Sequence, residues 1–254
     1  MSLFDLNGRV ALVTGGNGGI GLGMARGMAE AGAAIAVAGR NQAKSETAAA
    51  ELGKLGIKTA VLTVDVTDEA QCRKMVEDTV ARLGRLDVLV CNAGINIRKS
   101  PQDYSLAEWR QVIDANLTST FACAQAVYPV MKAAGGGKII NIGSMLSIFG
   151  AGFAAAYGAS KGGVVQLTKA LATGWAKDNI QVNAVLPGWI DTDLTRAARE
   201  QIKGLNTMVL MRTPVGRWGV PGDLAGIAVF LASGASDFIT GAAIPVDGGY
   251  SVQV

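Results

Sequence analysis

Val10-Ala11-Leu12-Val13-Thr14-Gly15-Gly16-Asn17-Gly18-Gly19-Ile20-Gly21 reads as a strand, a turn and the first turn of a helix. The four apolar residues at its head suit a buried strand and are too few for a buried helix. After the turn, Ile20, Met24, Met28 and Ala31 recur at helical spacing until Gly32 ends the run. Five of the seven residues from Gly15 to Gly21 are glycine. Such a turn lets backbone approach a phosphate closely, while the following helix offers its first N–H groups to the negative charge. Two fingerprints fit the stretch: Gly16, Gly18 and Gly21 as G-x-G-x-x-G, or Thr14, Gly15, Gly19 and Gly21 as T-G-x-x-x-G-x-G.

The same alternation continues outward from that unit. Apolar runs predict strands over 33–38, 59–64, 86–90, 138–142, 181–186 and 242–246. Helical spacing predicts helices over 41–55, 68–83, about 154–176 and 223–232, with a long one starting at the capping box Ser105-Leu106-Ala107-Glu108 and running toward Met131. Strands separated by helices of this length pair in parallel through crossovers. The expected fold is α/β: a single domain over residues 1–254, a doubly wound, Rossmann-like parallel sheet of about seven strands with helices on both faces. Ligands of such sheets bind beyond the carboxyl ends of the strands, where Gly15, Arg40, Asp65, Asn92, Ser144 and Pro187 fall. Residues 191–214 are polar, weakly periodic and rich in Thr and Arg, and are read as a segment that closes over a substrate.

Composition removes several classes of function. Half of the 254 residues are hydrophobic and 17% are charged, which supplies a large core and too little charge for disorder. The longest apolar stretches fall far short of the roughly 20 residues of a membrane helix, and Met1-Ser2-Leu3-Phe4-Asp5-Leu6 lacks the basic start and apolar run of a leader, so a cytoplasmic location without membrane partners is expected. A net charge of +3 with scattered basic residues gives nucleic-acid binding little support. Cys72, Cys91 and Cys123 form no CxxC pair and read as free thiols. The chain has no histidine, which excludes Ser-His-Asp and Cys-His catalysis and most catalytic zinc sites. No metal is expected, and another side chain must move protons.

Tyr157 is the candidate. Lys161 follows it by four residues on one helix face, so its ammonium is placed to favour the phenolate, and Ser144 precedes it by thirteen. A tyrosine with such a partner serves as an acid or base in redox chemistry on a hydroxyl or carbonyl. The second strand ends in Gly39-Arg40-Asn41, where an NAD site places Asp or Glu for the ribose 2′-hydroxyl. Arg40 suits a 2′-phosphate and the adenine face instead, so NADP is the expected cofactor and NAD the alternative.

In combination these motifs resemble the short-chain dehydrogenase/reductase family along nearly the whole chain. Thr14-Gly15 with Gly19 and Gly21, Asp65-Val66, Asn92-Ala93-Gly94, Asn116, Ser144, Tyr157 with Lys161, and Pro187-Gly188 stand in the family's order. Two departures are Cys91, where the family often has asparagine, and Gly18, where many NADP-dependent relatives carry Lys or Arg. The resemblance implies a catalytic set of Asn116, Ser144, Tyr157 and Lys161. Tyr157 would exchange the proton, Ser144 bond the reacting oxygen, Lys161 hold the nicotinamide ribose and Asn116 anchor a water. Cofactor contacts are implied for Gly15, Asn17, Gly18, Gly19, Ile20, Gly21, Arg40, Asn41, Asp65, Val66, Asn92, Ala93, Gly94, Tyr157, Lys161, Pro187, Gly188, Ile190 and Thr192.

A finer likeness, to sugar-acid dehydrogenases of the gluconate 5-dehydrogenase and 2-deoxygluconate 3-dehydrogenase type, rests on three stretches. These are Gly94-Ile95-Asn96-Ile97-Arg98, Ser144-Met145-Leu146-Ser147-Ile148-Phe149-Gly150 and Gly216-Arg217-Trp218-Gly219-Val220-Pro221. The last is expected to serve folding or assembly, away from the crevice. Arg98, Met145, Leu146 and Trp189 are the expected substrate contacts, with Arg98 placed to hold a carboxylate. The expected activity interconverts a secondary alcohol and a ketone by hydride transfer on a sugar acid or small polyhydroxy carbonyl compound. A general ketone or 3-oxoacyl reductase, and an inactive dinucleotide-binding sensor, are the alternatives. Family likeness implies a homotetramer.

Overall fold

The computed structural model describes residues 3–253, so Met1, Ser2 and Val254, the ends of the expected unit, lie outside it. Seven parallel strands run in the order β3-β2-β1-β4-β5-β6-β7. They are β1 (Val10–Thr14), β2 (Ala34–Gly39), β3 (Thr59–Thr63), β4 (Val88–Cys91), β5 (Gly137–Ile142), β6 (Ile180–Pro187) and β7 (Ala243–Val246). The chain builds outward from β1 to β3 and then returns to lay β4 on the other side of β1, so a crevice opens between β1 and β4 at their carboxyl ends.

Helices α1 (Gly19–Glu30), α2 (Gln42–Gly53) and α9 (Ala225–Ala232) bury apolar residues on one face, and α3 (Glu69–Leu83), α5 (Ser119–Ala133) and α6 (Ala155–Trp175) on the other. Strand residues feed the two faces alternately: Ala11 and Val13 pack with α1 and α9, Leu12 with the opposite layer, and Ile35 and Val37 part from Ala36 and Ala38 in the same way. That two-sided burial is why the strands are continuous apolar runs. Cys72, Cys91 and Cys123 are buried free thiols. Among the described residues no helix is long and apolar enough to cross a membrane.

Three segments differ from the sequence reading. The helix from Ser105 toward Met131 is broken into α4 (Leu106–Ile113) and α5 by a π turn, Asp114–Thr118, although the capping box forms as expected. The wider turn brings Asn116, which has no exposed surface, inward. Residues 191–214 contain two helices, α7 (Asp193–Gln201) and α8 (Leu205–Arg212), which bury Ala198, Leu205 and Val209 against Trp189 and Trp218. The stretch from Gly216 to Pro221 is not remote from the crevice. Gly219 N–H donates to the Trp189 carbonyl at 2.9 Å and its own carbonyl accepts from Asp191 N–H at 2.8 Å, so it braces the chain leaving β6.

Close packing of α1 depends on what it lacks. A β-carbon on Gly23 would lie 2.2 Å from the Pro221 carbonyl oxygen, whereas one on Gly174, near the end of α6, would meet nothing within 4 Å. Alanine favours a helix by up to about 1 kcal/mol over glycine, but forcing backbone apart costs about 1–3 kcal/mol. Gly23→Ala is therefore expected to lower the thermal midpoint by several degrees and Gly174→Ala to leave it unchanged or raise it, as read by thermal unfolding.

Candidate active site

The crevice is held open by a clamp between β1 and β4. The Thr14 hydroxyl donates to the Val90 carbonyl at 3.2 Å and accepts the N–H groups of Asn92 and Ala93 at 3.0 and 3.2 Å. The Asn92 amide returns across the gap to the carbonyls of Thr14 and Gly15, both at 3.1 Å. Gly15 and Gly19 have φ of +63° and +51°, which suit glycine. Gly21 lies so close under Gly15 that a β-carbon would fall 2.4 Å from the Gly15 carbonyl oxygen. Beyond this clamp lies a cavity of about 510 Å³, within the range of small-molecule sites.

One end of the cavity suits a dinucleotide. Of the expected cofactor contacts, Gly15, Asn17, Gly18, Gly19, Ile20, Asn92, Ala93, Gly94, Pro187, Gly188, Ile190 and Thr192 line it. The amino terminus of α1 has no side-chain cap and no acid in its first turn, leaving its N–H groups to an anion. Other expected contacts stand apart from the lining: Arg40 is exposed at the end of β2, Asn41 caps α2 by accepting Lys44 N–H at 2.9 Å, and Val66 packs beside Cys72. The Asp65 carboxyl is held below its usual range mainly by hydrogen bonds from Thr67, with a smaller contribution from the nearby Arg40 charge.

Lys44 was missed by the sequence reading. Asn41 as cap sets Lys44 in the first turn of α2, so its side chain reaches back over the phosphate turn; a β-carbon on Gly18 would touch its Cε and Nζ at 3.1 Å. A cation thus stands over the turn at position 18, carried by another element. Its Nζ also pairs with Asp193 Oδ2 at 3.2 Å, across the crevice from α2 to α7. The capping register of Asn41 was the signal that locates it.

The chemical end gathers Ser144, Tyr157 and Lys161. Ser144 follows β5 and accepts Leu146 N–H at 3.1 Å, which leaves its own proton free to donate. The Ser147 hydroxyl ties this turn to α6 through the Lys161 carbonyl at 2.7 Å. Lys161 Nζ is buried, donates to the Ile142 carbonyl at 2.7 Å and lies 5.7 Å from the centre of the Tyr157 ring. Burial pushes Lys161 down to about 8, near the physiological range. Burial raises the Tyr157 phenol, while a hydrogen bond from Ser144 and the charge of Arg98 pull it back. Arg98 is therefore the cation whose charge pulls on the phenol, where the sequence reading assigned that work to Lys161.

Asn116 is fully engaged. Its Oδ1 accepts Ile95 N–H at 2.8 Å and its Nδ2 donates to the Ile95 carbonyl and to Ser160 Oγ, both at 3.0 Å. In this arrangement it positions the Gly94-Ile95 backbone over Lys161.

The remaining wall is mostly apolar, with Met145, Leu146, Phe149, Trp189, Met208 and Tyr250, and is punctuated by Arg98, Arg212 and Asn96. Asn96 Oδ1 is buried without a hydrogen-bond partner among the described residues, an acceptor suited to a hydroxyl. Helix α7 forms the roof, tied down by Arg98 and by Asp191, which pairs with Arg196 at 3.0 Å and with Arg199. Asn96, Arg212 and Tyr250 carried no motif that sequence spacing could reveal.

The family described as Enoyl-(Acyl carrier protein) reductase matches residues 15–251. A 2-dehydro-3-deoxy-D-gluconate 5-dehydrogenase of Formosa agariphila is 42% identical over 250 residues, 98% of this chain and 95% of its own. Among solved structures, a gluconate 5-dehydrogenase from Burkholderia cenocepacia in complex with NADP and tartrate is 42% identical with a TM-score of 0.94, covering 99% of this chain and 98% of that one. A short-chain type dehydrogenase/reductase from Mycobacterium marinum is 39% identical with a TM-score of 0.94 over 98% of both chains. The chain belongs to the short-chain dehydrogenase/reductase family.

Proposed function

We propose that this protein is an NADP-dependent oxidoreductase that interconverts a secondary alcohol and a ketone on a sugar acid. The observation that carries the reading is the convergence of Ser144, Tyr157 and Lys161 on one cavity with an open helix terminus. Whole-length relatives that act on gluconate-type acids support the substrate class, and a relative described with NADP supports the cofactor. The unpartnered Asn96 oxygen and the cavity's arginines suit a polyhydroxy acid better than the apolar substrate of a ketone or acyl reductase.

Bound at the phosphate turn by Gly15, Gly19 and the α1 terminus, NADPH would supply the hydride for the carbonyl carbon. The α1 terminus would hold the pyrophosphate, with Arg40 and Lys44 providing cations for the 2′-phosphate. Tyr157 hands its phenolic proton to the carbonyl oxygen as negative charge develops there, and Ser144 donates a hydrogen bond to the same oxygen. Burial keeps the phenol protonated at neutral pH, ready to act as the acid. In the oxidative direction the same group must first be ionised, which Ser144 and Arg98 assist. Asn116 acts as a positioning residue, through Ile95. Exposed Leu106 and Trp109 of α4 and Phe121 of α5 support a homotetramer that covers them. The buried free thiols suit the reducing cytoplasm.

Tyr157→Phe is expected to cut turnover by about 10²–10⁴-fold while NADP affinity holds. In the wild type, alcohol oxidation is expected to rise with pH and ketone reduction to fall, because the phenol is needed as base in one direction and acid in the other. Steady-state profiles in both directions check this; parallel profiles would remove Tyr157 from the proton step.

Arg40→Ala and Lys44→Ala are each expected to weaken NADP roughly ten- to hundredfold more than NAD, as a lost charge-assisted contact of about 1.5–3 kcal/mol does. Fluorescence titration of both cofactors reads the ratio. Equal losses would mean that neither side chain meets the 2′-phosphate.

A further inference from the structure

Two guanidinium groups face the cavity, and their surroundings differ. Arg98 has donors already committed: Nη1 to Gln201 Oε1 at 3.2 Å and Nη2 to the Leu194 carbonyl at 2.9 Å, both on α7. Burial lowers its pKa, and the nearby Tyr157 and Tyr104 offset that only in part. Arg212, the last residue of α8, sits in the corner formed by the edge-to-face rings of Phe149 and Tyr250, with its guanidinium carbon 4.9 and 4.4 Å from their centres. It makes no hydrogen bond or ion pair among the described residues.

Both rings hold the cation through their π faces, a contact that uses up none of the N–H donors of the planar fork. Ordinary packing would turn that edge to a carboxylate or to carbonyls, as Arg196, Arg199 and Arg217 do here. Arg212 instead lines the same cavity as Ser144 and Tyr157, within a wall of Met145, Phe149, Trp189 and Tyr250. An oriented cation with free donors and no acid nearby is the arrangement that receives a bidentate carboxylate. A carboxylate entering so apolar a wall would lose its hydration uncompensated unless such a partner were present.

We infer that Arg212 is the anchor for the substrate's carboxylate, while Arg98 keeps its place between α7 and Tyr157. The inference rests on the sugar-acid reading and names the group that selects acids over neutral carbonyl compounds. Because the fork is fixed by Phe149 and Tyr250, the selectivity depends on geometry as well as charge: a lysine would keep the charge and lose the paired contact.

The test uses Arg212→Met, which keeps apolar bulk against the rings, Arg212→Lys, which keeps only the charge, and Arg98→Met for comparison. KM and kcat are measured for 5-keto-D-gluconate and for a neutral ketohexose, and tartrate binding to the NADP-loaded protein is measured by calorimetry. Thermal midpoints and NADP affinities verify that each variant folds. Arg212→Met is expected to raise the acid KM and the tartrate Kd roughly ten- to hundredfold more than it changes the ketohexose, with Arg212→Lys recovering only part. Loss of both substrates together, no change in either, or a selective loss in Arg98→Met alone would overturn the assignment, the last by returning the carboxylate to Arg98. A wild type that reduces the ketohexose but neither reduces the acid nor binds tartrate would show, before any variant is made, that the sugar-acid reading itself is wrong.

Discussion

The site depends on the junction of Thr14 with Asn92. Reversal of the strand order leaves β1 and β4 as neighbours whose following loops part in opposite directions, and a gap of that kind tends to fill with water or collapse. Here one hydroxyl bonds three backbone groups of the neighbouring strand, and one amide bonds two carbonyls on the way back. These bonds join the two strand ends without filling the mouth. The phosphate turn, the Gly94-Ile95 backbone and the helix bearing Tyr157 all take their places from this junction, the last two through Asn116 and Ser160.

Much of that arrangement was legible in the sequence because local rules and tertiary demands agree. A strand buried on both faces must be apolar throughout, a glycine turn before a helix has few other uses, and Asn41, Asp68 and Ser105 mark helix starts that the structure keeps. The π turn was not legible. Residues 114–118 carry helix-compatible side chains, and only the pull of Ile95 and Ser160 on Asn116 gives the extra residue a reason to be there. Helices α7 and α8 were hidden for a related cause. They are short, and part of what holds them, the contacts of Arg98 and Lys44 with α7, comes from partners distant in sequence.

The substrate wall was legible in kind and not in detail. Met145, Phe149 and Trp189 announce an apolar surface, yet which cation is spent on structure and which remains available is a matter of partners. Arg98 and Arg212 look alike in sequence, and the structure separates them by what their donors touch. Stretch 216–221 teaches the same point: its role in bracing the chain after β6 follows from two backbone hydrogen bonds that no residue type betrays.

Lys44 divides two tasks that a basic residue in the glycine turn would combine. The turn shapes the pyrophosphate cradle, and its geometry tolerates little, since glycines at 15 and 21 abut Asn92 and one another. The cation stands on α2, a helix that meets the turn on its inner side through the Asn17–Ser45 hydrogen bond and turns its outer face to solvent. Under the role proposed for Lys44, substitutions there would trade one dinucleotide for the other while leaving the glycines of the cradle in place. Cofactor choice in this chain is thereby a modular trait, open to gradual drift or to design along one surface helix, while the machinery that handles the pyrophosphate stays fixed.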